Sequence, residues 1–238
     1  MALKQAYLEY INTSIIDTLG QMRGKRMLEM GNQEIKDNSI VEKTGKEFFT
    51  KQGIEHVSVD LNGLDGALPL DLTKPEQFKG MQGRFDIITN AGTSEHVEPK
   101  NSQYECFSII HDCLRAGGIA VHLLPDIDEL KNRGRWRWHS FNYYSHDFFR
   151  MLAEKNNYRL VSLKIVDGLI CSCLQKIEDA PFMADRKEFL GYISRRPIGI
   201  IYPDINDRGF IRFLYGPVKF LKNIFNNLNS AKGRESNE

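Results

Sequence analysis

Three acidic residues lie at the ends of three consecutive apolar runs in this 238-residue chain. Glu29 follows the run that begins at residue 26, Asp60 the run at 56–59 and Asp71 the run at 68–70. Such a series, with helical segments between the runs, is typical of parallel strands joined by crossover helices. Because an open α/β sheet binds ligands beyond the carboxyl ends of its strands, the three carboxylates predict a ligand with hydroxyl and amine groups along one sheet edge.

The remaining apolar runs extend this pattern. Residues 85–92 and 116–125 predict a fourth and a fifth strand, with a helix at about 102–114 between them. An aspartate-glycine pair, Asp167 and Gly168, separates the runs 158–166 and 169–175, which is a strong signal for a β-hairpin and hence for an antiparallel last strand. Near-helical spacing over residues 3–19 predicts an N-terminal helix that ends at Gly20.

The whole series resembles the class I S-adenosylmethionine-dependent methyltransferases, over about residues 25–176. The resemblance implies an α/β fold: a Rossmann-like, doubly wound, mostly parallel seven-stranded sheet with a C-terminal antiparallel strand. It also implies a division into an N-terminal helical appendage (1–22), a methyltransferase domain (23–178) and a C-terminal helical extension with a disordered end (179–238).

S-adenosyl-L-methionine is the cofactor that the resemblance implies. In the family the first strand ends in an acid and a glycine turn, matched by Glu29 and Gly31, and an acid after the second strand holds the ribose hydroxyls, matched by Asp60. Asp71 with Leu72 matches the pair that meets the adenine. The predicted cofactor-binding residues are Glu29, Gly31, Gln33, Asp60, Leu61, Asp71, Leu72 and Asn90.

The loop after the first strand departs from the family pattern. Gln33 and Ile35 stand where the second and third glycines are expected, and glycine is what lets a backbone approach a ligand closely. Two interpretations of Gln33 remain open: its side-chain amide meets the cofactor carboxylate, or it is a solvent-facing cap residue.

Two histidines are the candidate catalytic residues. A hydroxyl acceptor needs a general base, and histidine is the side chain best suited to that role near neutral pH. His96 follows the fourth strand, and His139 lies in the segment 133–144, which holds both tryptophans of the chain among arginines and tyrosines. That segment is either the acceptor loop or a plug of the core with its arginines in water, and His122, inside the fifth strand, is interpreted as a core residue.

No metal site is predicted. In some relatives a Glu-His pair with another acid three residues earlier binds a divalent ion, but Gly92 stands at that earlier position before Glu95 and His96. The pair is therefore expected to order its loop by hydrogen bonds.

The predicted function is methyl transfer to a small polar acceptor, foremost O-methylation of a sugar or related metabolite, with glycans and nucleotide sugars as candidate acceptors. Two alternatives are N-methylation of a small molecule or protein side chain, and a catalytically degenerate cofactor-binding scaffold subunit.

Composition and charge indicate which binding partners and which cell compartment to expect. A net charge of +1 gives no reason to expect nucleic acid, and the four cysteines form no Cys-x-x-Cys pair, which indicates reduced, buried thiols. No secretory signal is recognisable at the N-terminus and no run is apolar enough to span a membrane, so a cytoplasmic protein is expected. The apolar, basic segment 210–228 predicts a packing or dimerisation helix, or a peripheral membrane contact.

Overall fold

The computed structural model describes residues 2–128, 136 and 139–195. The described residues belong to one compact unit. The predicted helix at 210–228 lies outside the described residues. The helices and strands are, in chain order, α1 (Gln5–Leu19), β1 (Arg26–Met30), α2 (Gly45–Lys51), β2 (Glu55–Val59), β3 (Phe85–Ala91), α3 (Gln103–Cys113), β4 (Leu114–Pro125), β5 (Asn142–Tyr143), α4 (His146–Lys155), β6 (Tyr158–Val166), β7 (Leu169–Lys176), α5 (Arg186–Gly191) and β8 (Ser194–Arg195).

The central sheet is mostly parallel. Its strand order is β2-β1-β3-β4-β7-β6, with β5 and β8 pairing separately as a two-stranded sheet. Strands β2, β1, β3 and β4 are mutually parallel, and β7 runs antiparallel between β4 and β6. The order reverses between β1 and β3, which is the switch point where such sheets bind ligands. The Rossmann-like, doubly wound fold is therefore confirmed.

The strand count is a correction. The main sheet has six strands in the described part of the chain, whereas seven were expected. The missing member is the run at 68–70, which forms only an isolated parallel bridge between Leu68 and Val59. The next residue able to continue the pairing is Leu70, but its N–H donates to Leu68 O (2.8 Å) and not to β2, so the pairing ends there.

The predicted hairpin between the last two strands is present. Asp167 and Gly168 both have positive φ, 53° and 77°, which is the geometry of a two-residue type I′ turn. This turn fixes the antiparallel pairing of β6 with β7 from Val166 opposite Leu169 to Ser162 opposite Cys173. A bulge between Leu160 and Ser162 then shifts the register by one residue, so that Tyr158 lies opposite Lys176.

One predicted helix agrees with the structure in its bounds, and another does not. Helix α1 follows the predicted N-terminal helix closely, and the N–H of Gly20 (φ 77°) donates to Ile16 O. The sequence also predicts a first crossover helix over residues 32–52, with an interruption near Gly45, and the helix observed there is much shorter. It starts only at Gly45, where the Thr44 side chain accepts a hydrogen bond from the Glu47 N–H as an N-cap.

The core lies on both faces of the sheet. Adjacent residues of each central strand face opposite sides, so Met27 and Ile87 pack with α1 and α2, while Leu28 and Ile88 pack with α3, α4 and α5. The second face is rich in aromatic residues. Since α1 and α5 both contribute to these clusters, the two flanking helices are part of the packed unit. The boundaries at residues 22 and 178 stay predictions.

Three smaller features complete the fold. The four cysteines are buried and free. Among the described residues, no helix has the length and apolar character needed to cross a membrane. The buried Lys176 amine donates to the carbonyls of His111 and Leu114 and to Asp179, and thereby caps the C-terminal end of α3.

Candidate functional site

The loops after β1 and β2 meet at the Asp60 carboxylate. Asp60 accepts hydrogen bonds from the backbone N–H of Asn32 (3.1 Å) and of Asn62 (3.0 Å). The Gly31 N–H donates to Val59 O at 2.7 Å. The predicted juxtaposition of Gly31 and Asp60 at the carboxyl ends of neighbouring strands is thus observed.

Gly31 stands at a close approach between two loops. Its φ is 84°, and a Cβ at this position would lie closer than 3.0 Å to Thr93 Oγ1 and to Gln33 Nε2. The Thr93 hydroxyl donates to Met30 O (2.7 Å) and accepts from Gln33 Nε2 (3.1 Å). The loop after β1 and the loop after β3 are therefore held together by one threonine and one glutamine.

Gln33 keeps one unused acceptor. It is only 5% exposed, which excludes the solvent-facing cap interpretation for this conformation. Its amide nitrogen is engaged by Thr93, so the group left over is Oε1, which accepts no hydrogen bond from the described residues; the buried Asn32 Oδ1 is in the same state. Buried acceptors without donors favour a ligand that donates, such as an ammonium group, over a carboxylate.

Ile35 explains how the loop folds without its later glycines. The side chain is buried in the core face that contains Leu3. Around it the Leu3 N–H donates to Glu34 O (2.8 Å) and the Lys36 N–H donates to Leu3 O (3.0 Å). At Ile35 the chain runs into the core beside the N-terminal segment, where an apolar side chain is needed.

Glu29 is placed inside the protein. It is 1% exposed, with its Oε2 at 3.5 Å from His56 Nε2. Burial raises the pKa of Glu29, outweighing the opposing contact with His56. A Cβ on Gly45 would lie closer than 3.0 Å to Glu29 Oε1, so that glycine allows the start of α2 to cover the carboxylate. Like Gln33 Oε1, Glu29 Oε2 accepts no hydrogen bond from the described residues. The contact of Glu29 with a cofactor stays a prediction.

Asn90 is also directed inward. It is fully buried; its Nδ2 lies 2.9 Å from Ser94 Oγ and 3.2 Å from His122 Nδ1, and its Oδ1 accepts from the Ser94 N–H at 3.1 Å. The side chain positions the loop after β3, and the cofactor contact predicted for Asn90 does not fit this structure. The core interpretation of His122 is confirmed.

Of the remaining predicted cofactor residues, Asp71 and Leu61 lie near the surface and Leu72 is buried in the core. Asp71 accepts from the N–H and hydroxyl of Thr73 at 2.9 and 2.8 Å. Burial raises the pKa of Asp71, but these bonds and the nearby Lys74 ammonium outweigh it and leave the pKa lowered. Leu72 is 9% exposed, whereas Leu61, beside Asp60, is 72% exposed.

Both candidate catalytic histidines lie close to one carboxylate, that of Glu95. Glu95 and His96 belong to the loop after β3, and His139 belongs to the segment before β5. His139 Nε2 lies 3.5 Å and His96 Nε2 3.8 Å from Glu95 Oε1, and the two Nε2 atoms are 3.3 Å apart. The Glu95 side chain is fully buried, while those of His96 and His139 are 30% and 26% exposed. Burial raises the pKa of Glu95, but the two imidazoles outweigh it and hold the pKa below its usual value.

Solved structures with a related fold include two methyltransferases. A Methanosarcina mazei S-adenosylmethionine-dependent methyltransferase matches with a TM-score of 0.51 and 9% identity, over 75% of this chain and 100% of that chain. Burkholderia thailandensis 1,6-didemethyltoxoflavin-N1-methyltransferase, with bound S-adenosylhomocysteine and 1,6-didemethyltoxoflavin, matches with a TM-score of 0.50 and 15% identity, over 71% and 78%. This chain has the class I methyltransferase fold. Neither protein-family models nor curated protein sequences give a match.

Within this class I fold, sequence reasoning missed one residue of the site. Glu95 was expected only to order its loop, yet its carboxylate lies within 3.8 Å of both candidate catalytic histidines. The available signal was a Glu-His pair after β3 together with a histidine shortly before β5. Of the tryptophans beside His139, Trp136 is buried and donates from Nε1 to Asp167 O (2.7 Å), as the core interpretation expects. Trp138 and the arginines of 133–137 lie outside the described residues.

Proposed function

We propose that this protein is an S-adenosylmethionine-dependent methyltransferase that methylates a small polar acceptor, foremost a hydroxyl of a sugar or related metabolite. The observation that carries the proposal is that the loop holding Gly31 and Gln33 meets Asp60 beyond the carboxyl ends of β1 and β2, at the switch point of a class I sheet. This position is where open α/β sheets bind nucleosides.

The residues present fit this cofactor. Asp60 is fixed by two backbone N–H groups and offers carboxylate oxygens suited to ribose hydroxyls. Gln33 Oε1 is a buried acceptor without a donor, suited to the ammonium of the methionine part. Leu61 presents an exposed apolar side chain beside Asp60, suited to one face of the adenine.

When bound, the cofactor supplies an electrophilic methyl group on a sulfonium. The protein's own contribution is to position the acceptor and to accept its proton. Partly exposed imidazole nitrogens of His96 and His139 lie together after β3, and Thr93, two residues before Glu95, touches the Gly31 loop. The proposed proton acceptor is His139 or His96, with Glu95 holding the two rings.

Calorimetric titration with S-adenosylmethionine and S-adenosylhomocysteine tests the cofactor site. Wild-type protein is expected to bind both, and Asp60→Ala to bind about 10–100-fold more weakly, because a hydrogen bond to a charged group contributes about 1.5–3 kcal/mol. Asp17→Ala, which removes an exposed carboxylate of α1, is the matched control and should bind as wild type does. Absence of binding to folded wild-type protein would overturn the proposal and favour the scaffold alternative.

An acceptor screen with nucleotide sugars and glycans follows from positive binding. For a hydroxyl acceptor, the double variant His96→Ala/His139→Ala should have a rate about 10²–10⁴-fold lower than wild type, the usual contribution of a general base. An amine acceptor needs no such base, so unchanged turnover in the double variant would indicate N-methylation.

A further inference from the structure

Three potential ligand atoms converge after β3 at separations that match a metal coordination shell. Tetrahedral Zn²⁺ with ligand bonds of about 2.0–2.2 Å places neighbouring ligand atoms about 3.3–3.5 Å apart. The Nε2–Nε2 separation of His96 and His139 is 3.3 Å, and Glu95 Oε1 lies 3.5 and 3.8 Å from these nitrogens. One ion at the centre would contact all three.

Hydrogen bonding accounts for this geometry only in part. A neutral imidazole can donate to the other across 3.3 Å, which uses one of the three contacts. Both carboxylate oxygens of the fully buried Glu95 still accept no hydrogen bond from any described residue. An ionised carboxylate without hydrogen bonds in the interior is costly unless a cation faces it.

The backbone around Glu95 is rigidly held, as a metal site requires. Gln103 Nε2 donates to Ser94 O (2.6 Å) and Val97 O (2.8 Å), and Asn142 Nδ2 donates to Glu95 O (3.2 Å). Tyr144 OH donates to Gln103 Oε1 (2.7 Å) and so orients that amide. Buried hydrogen bonds of this kind fix the direction of ligand side chains before an ion arrives.

We infer that Glu95, His96 and His139 bind one divalent first-row transition ion, with Zn²⁺ as the reference ion. Two imidazoles and one carboxylate select such ions over Mg²⁺ and Ca²⁺, which prefer all-oxygen ligands. The side chains of the two histidines are 30% and 26% exposed, so water is the expected fourth ligand of the ion. His139 supplies the third ligand that the sequence pattern at Gly92 lacked.

The ion and a proton compete for the same nitrogen lone pairs. An ion bound here would occupy the imidazole nitrogens of His96 and His139 and would supply a Lewis acid for an acceptor oxygen in place of a histidine base. The inference itself concerns ion binding alone, so it stands or falls independently of methyl transfer.

Cobalt titration of the full-length, untagged protein tests the site after dialysis against a chelator. One Co²⁺ per chain with visible d–d absorption is expected, and one equivalent of Zn²⁺ should displace it. Glu95→Gln and His139→Ala should each weaken binding at least about 100-fold, since even losing an outer hydrogen-bond partner of a ligand commonly costs 10–100-fold. His146→Ala, outside the cluster at the start of α4, should bind as wild type does.

Each remaining outcome also decides the question. Circular dichroism melts establish whether the variants are folded. If His139→Ala does not fold, His96→Gln is measured in its place. Wild-type protein that binds no Co²⁺ or Zn²⁺, or binding that survives in folded Glu95→Gln and His96→Gln, overturns the inference. Binding of Mg²⁺ without Zn²⁺ contradicts nitrogen ligation. Cofactor calorimetry on metal-free protein separates these results from the proposed function.

Discussion

Gly31 is subject to two separate constraints, and Gly20 to only one of them. Both have positive φ, 84° and 77°, but a Cβ on Gly20 would meet nothing within 4 Å, whereas one on Gly31 would collide with Thr93 and Gln33. The pair therefore separates the cost of backbone strain from the cost of a steric clash.

Alanine at these two positions should differ in effect. Gly20→Ala is expected to lower the free energy of unfolding by about 1 kcal/mol, the cost of the left-handed conformation. Gly31→Ala should lose about 1–3 kcal/mol more, because Thr93 or the backbone must shift, and it should also weaken S-adenosylhomocysteine binding. Urea denaturation and calorimetry measure both quantities, and equal losses in the two variants would contradict the close approach.

Some residue-level predictions depended on side-chain direction, which a sequence does not show. The acid and glycine after β1 were recognisable, as was Asp60, because strand ends can be inferred from apolar runs. The inward direction of Glu29 depends on α2 covering it at Gly45, and that of Asn90 on Ser94 and His122. These partners are distant in sequence or become neighbours only through a turn.

At the scale of elements, α5 belongs to the aromatic core although it follows the predicted methyltransferase domain. Phe189 on α5 is fully buried and its ring lies 5.5 Å from those of Phe107 and Phe148. Tyr192, just after the helix, is 38% exposed. The short helix thus closes one face of the sheet through one side chain.

Removal of the Phe189 ring should be costly. Phe189→Ala is expected to lower the free energy of unfolding by about 3–5 kcal/mol, as for other fully buried phenylalanines. Tyr192→Ala, the neighbouring control, should cost less than about 1 kcal/mol. Urea denaturation measures the difference. Similar values for the two variants would show that α5 is dispensable for the packed unit.

Elements with local signals were predicted well and those without were not. Helix α1 and the β6–β7 hairpin are determined by Gly20, Asp167 and Gly168, whose effects are local. The expected third strand failed because the Leu70 N–H donates to Leu68 O and not to β2. The first crossover helix begins late because the chain before it forms two isolated bridges, Ile35 with Leu3 and Glu34 with Thr44.

At the scale of the whole molecule, one buried histidine makes stability depend on pH. His122 lies on the central strand β4 and stacks on Phe107 at 5.4 Å. Burial lowers its pKa to about 3. The unfolded chain binds a proton at this histidine below about pH 6.5, but the folded protein does not. The contribution to stability is therefore fully present above pH 6.5 and is lost as the pH falls toward 3.

The size of this effect follows from linkage. Between pH 7.5 and 5.5 wild-type protein should lose about 1.4 kcal/mol more than His122→Asn, whose amide oxygen can still accept from Asn90. Urea denaturation of both proteins at the two pH values measures the difference, and carboxylates common to both cancel. Identical pH dependence in the two proteins would show that His122 is not held neutral.

The sequence by itself determined the class of fold and the carboxyl-edge location of Gly31 and Asp60. These follow from the period of apolar residues and from local turn chemistry. Only the tertiary structure decided the order of the strands in the sheet, the inward direction of Glu29 and Asn90, and the approach of Glu95 to both His96 and His139. The physical reason is that β3 and the segment before β5 are brought together by strand pairing and by hydrogen bonds such as that from Asn142 to Glu95 O, across 47 residues of chain.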